Sequence, residues 1–223
     1  DPLWSRGLGD VYKRQLNNIE PKETSNPIPE IVYKEWLAKV NKKSSIPMRL
    51  IHIHETDKEL LDELKSLIGI NGLNLIKTII VHKEKFLEDY YYLVRFHTEN
   101  SIVSYKQLSY GTQRVLAILL ALLYDKNSTL LIEQPEDGIH SGLLKKLLPL
   151  CFEYAEVYNK QLIFTTHSSE AINLFQPENI RIVKMTENGT KVLPLDKEQM
   201  PFIHDYLKNE GALFDFIKSM NDE

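Results

Sequence analysis

Two short apolar runs, Leu130 to Ile132 and Leu162 to Phe164, flank a helical stretch from Leu143 to Tyr158, and this spacing constrains the fold more than any other feature of the chain. Unalternating apolar runs fit strands buried on both faces, and an intervening helix supplies the crossover that parallel pairing needs. The pattern predicts an α/β layer whose parallel sheet is covered on both faces by helices. Pro149 lies inside the intervening helix and is expected to kink or divide it. Both strands release polar residues at their carboxyl ends, where open α/β sheets place ligands.

After the first strand come Glu133-Gln-Pro-Glu-Asp-Gly-Ile-His140, and after the second Thr165-Thr-His-Ser168. A carboxylate at Glu133 can hold Mg²⁺ directly or through water, with the metal bridging phosphate oxygens. The following position suits a residue that activates or orients water. Gln134 cannot accept a proton as a base, but its amide can orient water; Glu136 is an alternative base. The imidazole of His167 can hydrogen-bond a terminal phosphate. Hydroxyls at Thr165, Thr166 and Ser168 can bond phosphate, water or the next helix N-terminus.

A third segment, Leu108-Ser-Tyr-Gly-Thr-Gln-Arg114, precedes a stretch from Thr112 to Tyr124 that is apolar on nearly every face, the pattern of a helix buried between layers. Ser109 and Gly111 stand where the first helical N–H groups lack partners and can receive a phosphate. Gly111 allows close backbone approach. Taken alone, Ser109 reads as a simple helix cap. The glycine-rich phosphate loop G-x-x-x-x-G-K-[ST], which would complete a nucleotide site, matches no stretch of the 223 residues.

The first half reads as mixed. Asp1 to Gln15 has no hydrophobic periodicity, resembles translated adapter more than natural protein, and is set aside from the fold. Position 1 is not Met, and if the true start was lost, the lost part could hold a phosphate loop. Ser25 to Pro29 reads as a linker and Ile31 to Val40 as a short helix. A strand at Leu50 to Ile53 and a helix from Asp57 to Leu67 are expected next. Strands at Ile76 to Val81, Tyr90 to Phe96 and Ile102 to Tyr105, with a turn at Thr98 to Ser101, form an antiparallel meander. Toward the C-terminus, Ile180 to Met185 and Lys191 to Leu193 flank the hairpin signal Asn188-Gly189, and a helix is expected over Ala212 to Ser219. This divides the chain into an accessory region, 16–107, and an α/β core region, 108–223.

Other features favour bland readings. His52 and His54 would share one face of a strand as a candidate metal pair for a hydrolase, but no further ligand cluster is tied to them, so structural histidines are favoured. Ile68 to Gly72 lacks the Lys-Ser/Thr ending of a phosphate loop and reads as a turn. Tyr90-Tyr91-Tyr92 can stack on bases but better fits a strand of a small sheet. A formal charge of −4 argues against a strongly basic nucleic-acid surface. The single cysteine, Cys151, excludes an intrachain disulfide and reads as a buried structural thiol in a reducing compartment. The longest apolar run, Val115 to Leu123, is far shorter than the ~20 residues of a membrane helix, so a soluble, cytoplasmic protein is expected.

From Gln107 to Leu195 the motifs resemble the signature motif, Walker B motif with D-loop, and switch histidine of ABC-type ATPases. They are most similar to the AAA-type core of the group containing overcoming-lysogenization-defect (OLD) nucleases and RecF-like or SMC-like proteins. That group carries L-S-x-G-x-x-R, E-[EQ]-P-E-x-G-[IL]-H and T-T-H-S in this order. The resemblance implies a P-loop NTPase-like fold and a head-to-tail homodimer with ATP and Mg²⁺ between the P-loop of one subunit and the signature of the other. Ser109 and Gly111, with Tyr110 and Thr112 beside them, would then meet nucleotide in trans. Glu133 would serve the metal, and Gln134 would occupy the catalytic acid position. His140 would lie in the D-loop at the interface, and His167 would be the switch. Tyr110 replaces a glycine of the commoner signature and would pack on the opposing nucleotide or fill a groove. Gln134 replaces an acid, which leaves open hydrolysis or an ATP-gated clamp with negligible turnover. Relatives of this kind serve DNA repair and phage defence, so DNA and a nuclease or other effector protein are expected partners.

Overall fold

The computed structural model describes residues 27–39, 45–187, 189–209 and 211–220. The segment from Asp1 to Gln15, the start of the expected linker, Val40, and Asn188 lie outside the described residues.

The first part combines β1 (Ile28–Pro29), α1 (Glu30–Ala38), α2 (Ile46–Thr56), α3 (Lys58–Ile68), β2 (Thr78–Phe86), β3 (Asp89–His97) and β4 (Ile102–Val103). The expected meander is present with an addition at its edge. β2 and β3 pair antiparallel from Thr78↔His97 to Phe86↔Asp89, while β1 and β4 share the other side of β3. Period-two alternation along β3 sends Tyr92, Val94 and Phe96 into the core and leaves Tyr91, Leu93 and Arg95 half-buried, while Tyr90, on the core face but near the start of the strand, is exposed; the tyrosine run is thus a strand of a half-buried sheet. The turn after β3 closes with Thr98 N–H donating to Ser101 O at 2.9 Å.

Leu50 to Ile53 is helical, not a strand. Ser45 caps α2 by accepting from Met48 N–H at 3.2 Å, and Pro47 sits in the first turn, where its missing N–H costs nothing. Ile46, Leu50 and Ile53 recur at helical spacing and are at most 1% exposed. Tertiary burial of that stripe overrides the strand propensity of a short β-branched run. The correction also removes the metal pair. Residues two apart on a helix point to different sides, so His52 and His54 share no face. His52 Nδ1 instead lies 3.1 Å from the Tyr33 hydroxyl, and no metal-holding cluster occurs among the described residues.

A 3₁₀ turn (Tyr105–Gln107) leads into α4 (Tyr110–Leu123), followed by β5 (Thr129–Glu133), α5 (Ser141–Val157), β6 (Gln161–Thr165) and the short α6 (Ser169–Ile172). Every residue of α4 from Val115 to Leu123 is buried. Each fully buried Leu or Ile contributes about 1.5–3 kcal/mol, against roughly 1 kcal/mol for a cap, so burial holds this helix in place. It packs against α2, α3, α5 and β5, and one continuous core runs from Tyr33 to Ala171. α5 carries Pro149 in its interior but is not divided.

β5 and β6 pair parallel and in register, Thr129↔Gln161 through Glu133↔Thr165. One face is covered: Leu130 and Ile132 are buried, and Phe164 packs against Phe152 of α5 and Phe175. The other is not, with Leu131 half-buried and its register partner Ile163 44% exposed. The expectation of cover on both faces therefore fails on one side among the described residues. Beyond α6, the hairpin β7 (Arg181–Thr186) and β8 (Gly189–Pro194) is followed by α7 (Met200–Asn209) and α8 (Leu213–Ser219), which gather around a second small core of Leu195, Ile203, Leu213 and Phe216. No described helix is long and apolar enough to cross a membrane.

Candidate functional site

The carboxyl ends of β5 and β6 meet side by side, and the chain bends sharply just beyond them. Gln134 has φ 48°, the left-handed region that costs a non-glycine residue about 1–2 kcal/mol. Two contacts oppose that cost. Gln134 N–H donates to Thr165 O at 2.6 Å, extending the ladder one residue past β5. Arg114 Nη2 donates to Glu133 O at 2.5 Å and Gln134 O at 2.8 Å. Hydrogen bonds from a charged donor are worth about 1.5–3 kcal/mol, enough to hold the bend. Arg114 thus ties the helix carrying Ser109 to the strand carrying Glu133.

The two loops also interlock. The Ser109 side chain accepts from Thr112 N–H at 3.2 Å and lies 2.8 Å from the Thr112 hydroxyl, so it caps α4, as its bland reading predicts. A Cβ on Gly111 would overlap the carbonyl of Gly138, and one on Gly138, at φ 71°, would overlap the Tyr110 ring. Tyr110 O–H donates to Asp137 Oδ2 at 3.0 Å. Burial, with help from that bond, pushes the Tyr110 hydroxyl above its ordinary pKa. The ring lies against Gly138 of its own chain and remains 57% exposed. His140 caps α5, with Nδ1 accepting from Leu143 N–H at 3.1 Å.

Glu136 reaches across to the loop after β6. Its Oε1 accepts from the Thr166 hydroxyl at 2.8 Å and from His167 N–H at 3.2 Å, while Oε2 is buried without a partner. Thr166 Oγ1 accepts from Ser168 N–H at 3.0 Å, and Ser168 caps α6 through Ala171 N–H. These two hydroxyls are therefore engaged within the chain.

What remains unengaged is the Glu133 carboxylate, the Gln134 amide and the exposed His167 imidazole, none of which has a side-chain partner among the described residues. A single free carboxylate suits Mg²⁺, which keeps most of its water and arrives with phosphate oxygens. Arg114 and Asp137 carry the geometry without having been assigned roles in the sequence. Arg114 closes the signature-like segment, which was its only signal.

An in-register parallel pair crossed over by α5, with a serine-capped buried helix packed on its carboxyl-terminal turn, defines the core of an AAA-type, ABC-like ATPase of P-loop NTPase fold. The chain belongs to the family described as "AAA domain, putative AbiEii toxin, Type IV TA system", whose model matches residues 4–173. The Smc head bound to the C-winged helix domain of ScpA is similar in fold, with TM-score 0.54 at 12% identity over 86% of this chain and 56% of that one. The Pyrococcus furiosus Smc head with an extended coiled coil, bound to the C-terminal domain of ScpA, gives 0.49 at 14% identity over 91% and 54%. A chain from work on ATP-driven dimerization and DNA-stimulated activation of SMC ATPases gives 0.46 at 13% identity over 74% and 99%. The chain thus spans about half the length of the two ScpA-bound heads. No curated protein matches it.

Proposed function

We propose that this chain supplies the hydrolysis and signature elements of an ATPase that binds Mg-ATP across a head-to-tail homodimer and couples it to a conformational change. The observation that carries the reading is the juxtaposition of unengaged Glu133 and Gln134 with the loop bearing His167, at the carboxyl ends of one parallel pair. Glu133 would hold the metal, which when bound neutralises charge developing on phosphate oxygens. The Gln134 amide orients the attacking water, and His167 hydrogen-bonds the terminal phosphate. Ser109, Gly111 and Thr112 face the partner's nucleotide at the start of α4, where backbone donors and the helix dipole favour an anion. His140 and Tyr110 shape the loop presented to the partner subunit. The downstream task lies in DNA repair or phage defence, with DNA and a nuclease or other effector as partners.

Phosphate release by the full-length gene product tests the assignment. His167→Ala should lower turnover by about tenfold or more, the loss of roughly 1.4 kcal/mol of transition-state stabilisation. Normal turnover by that variant would sink the switch role. The amide at Gln134 favours a second reading, an ATP-gated clamp that dimerises on binding and scarcely hydrolyses. Gln134→Glu separates the two: a large rise in turnover marks the clamp, while no change or a fall marks a glutamine-assisted ATPase.

A further inference from the structure

Glu136 is placed by sequence where a base is wanted, yet its geometry is that of a brace. A general base needs a carboxylate oxygen open to the attacking water. Oε1 is already taken by the Thr166 hydroxyl and the His167 amide, and Oε2 is shut away from solvent. Pro135, buried, precedes it, and the turn is closed by Asp137 N–H to Gln134 O at 2.9 Å and Ile139 N–H to Glu136 O at 3.0 Å. The carboxylate therefore projects from a fixed base. Across from it, the His167 imidazole is exposed and has no hydrogen bond of its own among the described residues, so the fold fixes where its backbone stands and leaves the ring free to turn toward a ligand. That backbone is held from β5's side by the Gln134–Thr165 ladder bond and by Glu136.

We infer that Glu136 is a positioning residue that locks the His167 loop onto the Gln134 turn, so that the backbones carrying the water-orienting amide and the phosphate-sensing imidazole keep one fixed relation. Each hydrogen bond to a carboxylate is worth more than a neutral one, and two converge on Oε1. The unpaired Oε2 marks the cost of this arrangement: a buried polar atom left without a partner is tolerated where position matters. Because Arg114 grips the same turn from α4, a shift of the signature loop reaches His167 through Glu136.

The turnover arm of the test rests on the ATPase reading, while the exchange arm does not. In the full-length gene product, Glu136→Ala should raise amide exchange at His167 in the nucleotide-free state by about tenfold or more and lower kcat with little change in KM. Glu136→Gln keeps a carbonyl acceptor in the place of Oε1 and should rescue most of both losses. Unchanged exchange at His167 in Glu136→Ala would overturn the brace. So would a Glu136→Gln variant with parental exchange but turnover as low as that of Glu136→Ala, since only a base loses its role with its charge. If the parent does not hydrolyse ATP, the ATPase reading fails, and the exchange arm still decides the brace.

Discussion

At the scale of single residues, contact between two loops depends on two missing side chains. Gly111 lies against the Gly138 carbonyl and Gly138 against the Tyr110 ring, so each contact has a bare glycine backbone on at least one side. Gly111→Ala must push the Gly138 turn away, and overpacking of this kind costs about 1–3 kcal/mol. The expected outcome is a lower urea midpoint with an unchanged m-value; a parental midpoint would show that the turn yields freely. The polar residues of the site were legible because they end or follow apolar runs: Glu133 closes β5, Gln134 follows it, and His167 comes just after β6. Arg114 was not legible as a tie. Its partners are backbone carbonyls, which every residue has, so nothing in the sequence marks them. Cys151 is as the apolar neighbours predicted, buried at 1% exposure with its thiol pushed up to about 12 by burial.

At the scale of elements, caps decide boundaries and burial decides type. Asp57 ends α2 through its N–H to Ile53 O at 2.7 Å and starts α3 by accepting from Leu60 N–H at 3.0 Å. Asp57→Ala keeps the first bond and loses the second, for an expected loss of about 1 kcal/mol in chemical denaturation. Equal stability would mean that water replaces the cap. The long helices could be read in advance, α3 from its helical spacing and α4 from an apolar run too long for a strand, and α5 was legible as the stretch between two strands; of the β2–β3 pair the antiparallel meander was legible, but β2 runs on to Phe86, past the expected end at Val81. The Leu50 to Ile53 run could not, being too short to tell a helix stripe from a buried strand until the surrounding core is known. The segment expected as a strand to Tyr105 stops at Val103, because Ser104 and Gln107 form a capping box that starts the 3₁₀ turn.

At the scale of the whole molecule, a half-buried ionic knot adds to the shared apolar core in joining the first half to the parallel pair. Arg49 of α2 bonds Asp125 at 3.2 Å just after α4, and Lys160, one residue before β6, donates to the carbonyls of Ala121 and Asp125. Burial raises the Asp125 carboxyl above its ordinary range, although Arg49 and Lys160 pull it back. An acid whose pKa is higher folded than unfolded favours the fold most below its unfolded value, near 4. That contribution is lost as pH rises through the folded value. The stability of the parent relative to Asp125→Asn should therefore fall as pH rises from about 4, read as urea midpoints across the acid range. A difference that grows with pH would reverse the sign and show that Arg49 outweighs burial.

The uncovered face of the β5–β6 pair carries its own consequence, in the register of temperature. Leu131 and Ile163 sit side by side there, already partly covered, and closing over what remains exposed releases only a part of the ~1.5–3 kcal/mol that full burial of such a side chain is worth. Apolar association of this sort weakens on cooling, because its driving force near room temperature is almost entirely entropic. Whatever closes over this face, be it another segment or another molecule, grips it more firmly warm than cold.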